Sequence, residues 1–483
     1  MAMPALPLTF RNTTAGAAIP QKTENRIPFK TVHIMGSAAY DCLIYNALVL
    51  TMAPGAEPLA HGYVAVAGGK IAAVGQAEAP QDLPAARERL DAQGGLVLPG
   101  LVNTHCHAPM VWFRGLADDL PLQQWLTEFI FPAEGAWLDA DKVYRGTLLA
   151  AAEMIRGGIT TVADGYFFEA AVRQALSDAG LRAVVAQGVV DFPAPGVPDP
   201  ARNLAVAAEF LDSGVDYPNR LTSTVFCHSP YTCGPETLQK AKDLTRSRGV
   251  PFFLHLAETR EEVADLKRRT GRSPGAYLDH LGVLDELTVA VHAVWLPPGD
   301  QELLAHRGVK VSHCPESNLK LAAGVAPIPA LLKLGVTVGL GTDGAGSNNN
   351  LDLWGEMSLA ARLHKVWGRD PTLMPAARVV ALATREGAQV LGLGETTGTL
   401  TPGKAADLIV VAVNQPHLTP LYDPYSHLVY AARAADVQHV MVGGRWLLSD
   451  RRFTTLDWPA LAASVRNHCR DLAAFCRQLR PHA

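Results

Sequence analysis

The run Asn103-Thr104-His105-Cys106-His107 sets two imidazoles two residues apart, the spacing that puts both on one side of an extended strand. Two imidazoles on one face can bind one metal ion. With 16 histidines in the chain, chance alone supplies roughly half a His-x-His pair, so the motif needs company. Candidates exist in His255-Leu256-Ala257-Glu258, an isolated His292 and Gly341-Thr342-Asp343-Gly344. Neutral imidazoles with a carboxylate suit Zn2+ or Fe2+ and leave a position for water. Each histidine taken alone reads better as a strand-end residue satisfied by a loop carbonyl. Only a fold that gathers His105, His107, His255, His292 and Asp343 at one place makes them a site.

The elements that could do so are legible. Between about residues 96 and 391, strand-like runs alternate with amphipathic helical stretches. The strands fall at 101–105, 160–164, 183–190, 222–228, 251–256, 288–292, 309–313 and 336–342. Helical segments at 142–156, 169–179, 235–248, 300–307 and 327–334 lie between them. Such units predict an α/β fold, a closed (β/α)8 barrel of the TIM type, over 98–399. A doubly wound open sheet is the alternative, but no Gly-x-Gly-x-x-Gly turn follows an early strand. In a closed barrel the C-terminal strand ends form the catalytic face, where all five candidate donors converge.

Short β-rich runs at 42–51 and 63–74 precede the barrel, and others at 406–413 and 437–448 follow it. Residues 39–97 and 400–450 are therefore expected to close one small β-sandwich domain together, with a terminal helix within 455–483. Residues 1–38 carry no sustained period and are expected to be a poorly ordered extension, with Met35 an alternative start.

Composition narrows the function. The 483 residues are 48% hydrophobic and 18% charged, which suits a large folded chain. A net charge of −4 offers no basic surplus for a phosphate backbone, so nucleic acid is not expected as partner. No apolar run of membrane-spanning length or secretory signal is present, and a cytoplasmic, membrane-free location is expected. The seven cysteines are scattered without a Cys-x-x-Cys pair, which argues against a disulfide framework or structural zinc knuckle.

Six stretches resemble the amidohydrolase superfamily, and within it the 5'-methylthioadenosine/S-adenosylhomocysteine deaminase group with its triazine-hydrolase and guanine-deaminase relatives. They are Leu98-Pro-Gly-Leu-Val-Asn-Thr-His-Cys-His107, Arg114-Gly-Leu-Ala-Asp-Asp-Leu120, His255-Leu-Ala-Glu258, Ser312-His-Cys-Pro-Glu-Ser-Asn-Leu-Lys320, Gly341-Thr-Asp-Gly-Ala-Gly-Ser-Asn-Asn349 and Gly403-Lys-Ala-Ala-Asp-Leu408. The resemblance spans about residues 40 to 450.

The resemblance implies one divalent metal per chain, zinc ahead of iron, held by His105, His107, His255 and Asp343. No lysine stands at the end of the fourth strand, where binuclear relatives use a carbamylated one. It also implies that His292 orients the attacking water, Glu258 protonates the purine N1 and Asp343 handles the water's proton. Trp125 would wall the adenine, Glu134 would accept from the ribose diol, and His228 would bond the purine N3. Gln187 stands where the group commonly carries an arginine facing the distal end of the substrate, and cannot pair with an amino-acid carboxylate as arginine would. Arg202 lies nearby in sequence.

The expected activity is hydrolytic deamination of an adenosine-type nucleoside, with 5'-methylthioadenosine ahead of S-adenosylhomocysteine or adenosine. A deaminase or hydrolase of a triazine or guanine-like ring is the enzyme alternative. A catalytically silent scaffold of the same fold is the alternative from another class. The expected partner is a small purine nucleoside, and the chain is expected to form a homo-oligomer.

Overall fold

The computed structural model describes residues 31–33, 40–216 and 220–479. Its centre is an eight-stranded, all-parallel sheet of Leu101–Cys106, Ile159–Tyr166, Arg182–Val189, Leu221–Cys227, Phe252–Leu256, Thr288–His292, Lys310–His313 and Val338–Leu340, ordered as in the sequence. Apart from half-buried positions in the third, fourth and seventh, these strands are buried throughout, as expected of parallel strands covered by helices. Alternate residues serve two layers. Val102, Ala163, Val184, Ala186, Phe226, Phe253, Val289 and Val291 fill the barrel, while Val162, Val185 and Leu254 join the cluster shared with the helices.

The first and eighth strands close the barrel at their C-terminal ends through side chains as well as backbone. Thr342 N–H reaches His105 O at 3.1 Å and Asn103 Oδ1 at 3.0 Å, while Asn103 Nδ2 donates to Thr342 Oγ1 at 2.8 Å. This clasp brings Asp343 beside the His105 strand end.

Between the strands, helices form where capping and an apolar face coincide. Asp139 accepts Lys142 N–H to start Ala140–Arg156, and Gly180, at φ +90°, ends Glu169–Ala179. The expected barrel is present, with the eighth strand shorter than its apolar run because the chain turns at Gly341 into the loop that carries Asp343.

The small β domain is one mixed, ten-stranded sheet drawn from both ends of the chain. It encloses a core including Ile44, Val64, Ile71, Val97, Leu408 and Met441. Two of its strands escape a reading of sequence pattern. Ala86–Asp91, Ala-Arg-Glu-Arg-Leu-Asp, looks helical by composition, yet it runs parallel to Tyr40–Val49 with Ala86 and Leu90 buried. Cross-strand pairing overrides residue preference there. Leu96–Pro99 bridges Tyr40–Val49 and Leu408–Val411. Of residues 1–38, only Thr31–His33 is described, as a strand antiparallel to Ala86–Asp91, so the expected disorder of the rest lies outside the described residues. The terminal helix runs Trp458–Leu479. Among the described residues no helix is long and apolar enough to cross a membrane.

Candidate active site

Five polar residues meet at the barrel mouth because the parallel register aligns the strand ends that carry them. His255 and His292 end neighbouring strands, with Leu256 paired to His292. His105 Nε2 lies 3.3 Å from Asp343 Oδ1, His107 Nε2 lies 3.3 Å from the same oxygen, and His105 Nε2 lies 3.4 Å from His255 Nε2. A tetrahedral ion bonded at about 2.0–2.1 Å separates its ligands by about 3.3–3.4 Å, so these donors fit a zinc-sized ion. His105, His255, His292 and Asp343 also offer atoms all within 4.8 Å of one another.

The backs of the donors are tied down. His107 Nδ1 meets Gly165 O at 2.5 Å, which leaves Nε2 free as a ligand. Asp343 Oδ2 accepts Ser317 Oγ and Ser347 Oγ, each at 2.7 Å, so Oδ1 alone turns toward the histidines. Asn318 Nδ2 lies 3.0 Å from His292 Nδ1. With the amide donating there, the ring proton sits on Nε2, which lies 3.8 Å from Glu258 Oε2. The backbone bends sharply at the strand ends, with positive φ at His292 (+70°) and Asp343 (+59°). Conformations so sparse for non-glycine residues persist where surrounding contacts enforce them, commonly at functional sites.

Burial sets the charge states. It pulls His105 and His292 down to about 4 and His255 well below its ordinary value, so all three are neutral, as metal or water partners require. Burial alone would raise Asp343, but the imidazoles of His105 and His107 beside it hold it well below the carboxylate range. Glu258 goes the other way, pushed up to about 8 by burial and then by the Asp343 charge. One carboxyl is thus kept as an acid and its neighbour as a base.

A cavity of about 490 Å³ opens over this cluster. Trp125, Glu134, His228, Glu258, His292 and Asp343 all line it, as do His107 and His255. Trp125 begins the turn Trp125–Ile130, and Glu134 lies on the helix Phe131–Trp137, both in the long excursion after the first strand. Glu134 accepts a hydrogen bond from the Tyr166 hydroxyl, and burial, opposed by that bond, raises it to about 7. His228 Nδ1 faces Thr232 Oγ1 at 3.1 Å.

Gln187 departs from expectation. Val184 and Ala186 face the barrel interior, so Gln187 turns outward with Val185; its amide donates to Gly188 O at 3.1 Å and does not line the cavity. A residue beside the expected position in sequence is on the wrong side of a strand, because the side-chain period is two. Arg202 is exposed, paired with Glu209 Oε1 at 3.3 Å, and also absent from the lining.

Several positioning residues were not singled out by sequence reasoning. Ser317, Asn318 and Ser347 stand in conspicuous motifs, but their aim becomes visible only across strands. Glu262 had a signal of its own, the capping pattern Thr259-x-x-Glu262. Thr259 caps the helix Arg260–Thr270 through Glu262 N–H, while the Glu262 carboxylate reaches back to the backbone of Ala257 and Glu258.

Comparison with known proteins gives a consistent picture. Residues 96–447 match the Amidohydrolase family. The chain is 48% identical over 438 residues to a 5-methylthioadenosine/S-adenosylhomocysteine deaminase of Syntrophobacter fumaroxidans, covering 91% of this chain and 100% of that one. It is 42% identical over 435 residues to a 5'-deoxyadenosine deaminase of Methanosarcina mazei, covering 90% of this chain and 99% of that one. A crystal structure of an adenosine deaminase from Xanthomonas campestris with bound zinc superposes with a TM-score of 0.87 at 37% identity, covering 90% of this chain and 99% of the other.

Proposed function

The chain belongs to the amidohydrolase family and is a hydrolytic aminohydrolase acting on adenosine-type nucleosides, and from that premise we propose that its foremost substrate is 5'-methylthioadenosine. The reaction adds water at C6 of the purine and releases ammonia, leaving the inosine analogue. The observation that carries this reading is one cavity lined both by Glu258 and the cluster of His107, His255 and Asp343 and by Glu134, which the Tyr166 hydroxyl orients.

His105, His107, His255 and Asp343 would hold one divalent ion, zinc ahead of iron. When bound, the metal supplies Lewis acidity and lowers the pKa of water from 15.7 toward about 7. The remaining chemistry belongs to side chains. Glu258, protonated, donates to N1, so that electron density displaced by attack at C6 ends on a neutral ring nitrogen. Asp343, ionised, accepts one proton of the attacking water and passes it to the departing amine, and the proton left on the oxygen restores Glu258 as the C6 carbonyl forms. His292, with its proton on Nε2, supports the oxygen that becomes bonded to C6. Trp125 forms a wall for the ring, His228 meets N3 and Glu134 accepts from the ribose hydroxyls; a carboxylate can take both at once.

The test is ammonia release by the zinc-loaded protein from adenosine, 5'-methylthioadenosine, S-adenosylhomocysteine, guanine and melamine. The methylthio nucleoside should have the highest kcat/KM. Turnover of guanine or melamine alone would overturn the nucleoside reading in favour of a free ring, and turnover of none, with zinc bound, would favour a silent scaffold.

A further inference from the structure

Much of the cavity lining is apolar. It includes Leu122, Leu126 and Phe131 from the excursion after the first strand, and Phe192, Pro193 and Pro195 from the loop after the third. Phe131 and Phe192 meet across it with ring centroids 5.9 Å apart. Phe131 lies three residues before Glu134 on one helix, hence on the same face and about one turn away. Among the described lining residues there is no lysine or arginine; the carboxyl side chains are Glu134, Glu258 and Asp343.

The loop bearing Phe192 is built rigidly. Ala194 and Val197 exchange both backbone hydrogen bonds, at 3.1 and 2.9 Å. Gly196, at φ +78°, lies so close to the Phe168 ring that a Cβ would sit 2.8 Å from it. Asp191 N–H is held by Thr232 O at 2.9 Å. A fixed apolar surface discriminates by shape and polarity, because ordering it costs nothing at binding.

We propose that Phe131 and Phe192 form the subsite for the 5' substituent and select adenosines whose 5' carbon carries hydrogen or an uncharged alkylthio group. The inference rests on the nucleoside reading above, in which Glu134 holds the ribose. With the diol on Glu134, the 5' arm extends toward the aromatic pair one helical turn away. An amino-acid arm would bring its carboxylate into a wall with no cation to receive it.

The experiment measures kcat/KM for 5'-methylthioadenosine, adenosine and S-adenosylhomocysteine with the zinc-loaded wild type, Phe192→Ala and Phe131→Ala, and Kd for the unreacting products 5'-methylthioinosine and inosine. The wild type should prefer the methylthio compound over adenosine by roughly tenfold or more, the scale of a small apolar group in a fitted pocket, and should use S-adenosylhomocysteine poorly. Each variant should shrink the methylthio-to-hydroxyl ratio at least fivefold in both kinetics and binding. Nucleoside turnover with that ratio unmoved, or S-adenosylhomocysteine used as well as methylthioadenosine, would overturn the subsite and keep the deaminase. A binding ratio that collapses in the variants without any nucleoside turnover would keep the subsite and overturn the deaminase.

Discussion

Glu262 holds the backbone of Glu258: its carboxylate accepts Glu258 N–H at 2.9 Å, and its other oxygen accepts Ala257 N–H at 3.2 Å. The residue assigned as general acid therefore follows a ligand strand but is aimed by the helix after it. Ala257 itself has φ +52°, a bend these bonds sustain. Glu262→Ala should cost about 1–3 kcal/mol of stability through the donors left unpaired. It should also lower kcat more than it raises KM, with zinc content unchanged. Zinc loss in parallel with activity would show that Glu262 supports the cage rather than Glu258.

Purified protein should carry one divalent metal per chain, measured by elemental analysis, and chelation should abolish activity. His255→Ala should lose both metal and turnover, since it removes a donor 3.4 Å from His105 Nε2.

Ser317 and Ser347 both bond Asp343 Oδ2, and that places Oδ1 on the metal side. Ser317→Ala and Ser347→Ala should each weaken zinc binding by roughly 10- to 100-fold, the usual range for a group that orients a ligand. A chelator-competition titration reads this without reference to turnover.

Glu258→Gln should keep the metal and lower kcat by roughly 10² to 10⁴. As a general acid Glu258 acts in its protonated form, and burial raises it to about 8, so kcat/KM should fall as pH rises toward and through about 8. The positive charge of a bound metal lowers that value, so the limb should lie at or below about 8, and it should vanish in Glu258→Gln.

The same group gives a stability test on metal-free protein. Its folded value lies above its unfolded one, so its favourable contribution is complete below about 4.5 and is lost as pH rises through about 8. Glu258→Gln should therefore raise Tm relative to wild type at pH 8–9 more than at pH 4–5.

Glu134→Ala should raise KM for nucleosides about tenfold or more while leaving metal content unchanged, and 2'-deoxy analogues should be poor substrates for the wild type. Tyr166→Phe should share the direction with a smaller effect, because it removes only the bond that orients Glu134.

The barrel and its donors were legible in the order of residues because local periodicity writes them there. Short, mostly apolar runs ending at or beside His105, His255, His292 and Asp343 can be read one at a time, and the strand period alone pairs His105 with His107. Glu258 and Glu134 were nominated by the family resemblance. What the order of residues could not supply was orientation across elements distant in sequence. Gln187 was misplaced because one residue of register decides which face of the strand a side chain occupies. The Ser317 bond behind Asp343 and the Phe131–Phe192 wall each join segments from different β/α units. Their contacts exist only once those units have packed together. Residue types thus set which chemistry was available, whereas long-range packing decided which groups were buried together: burial raises Glu258, while the histidines gathered beside Asp343 hold it low.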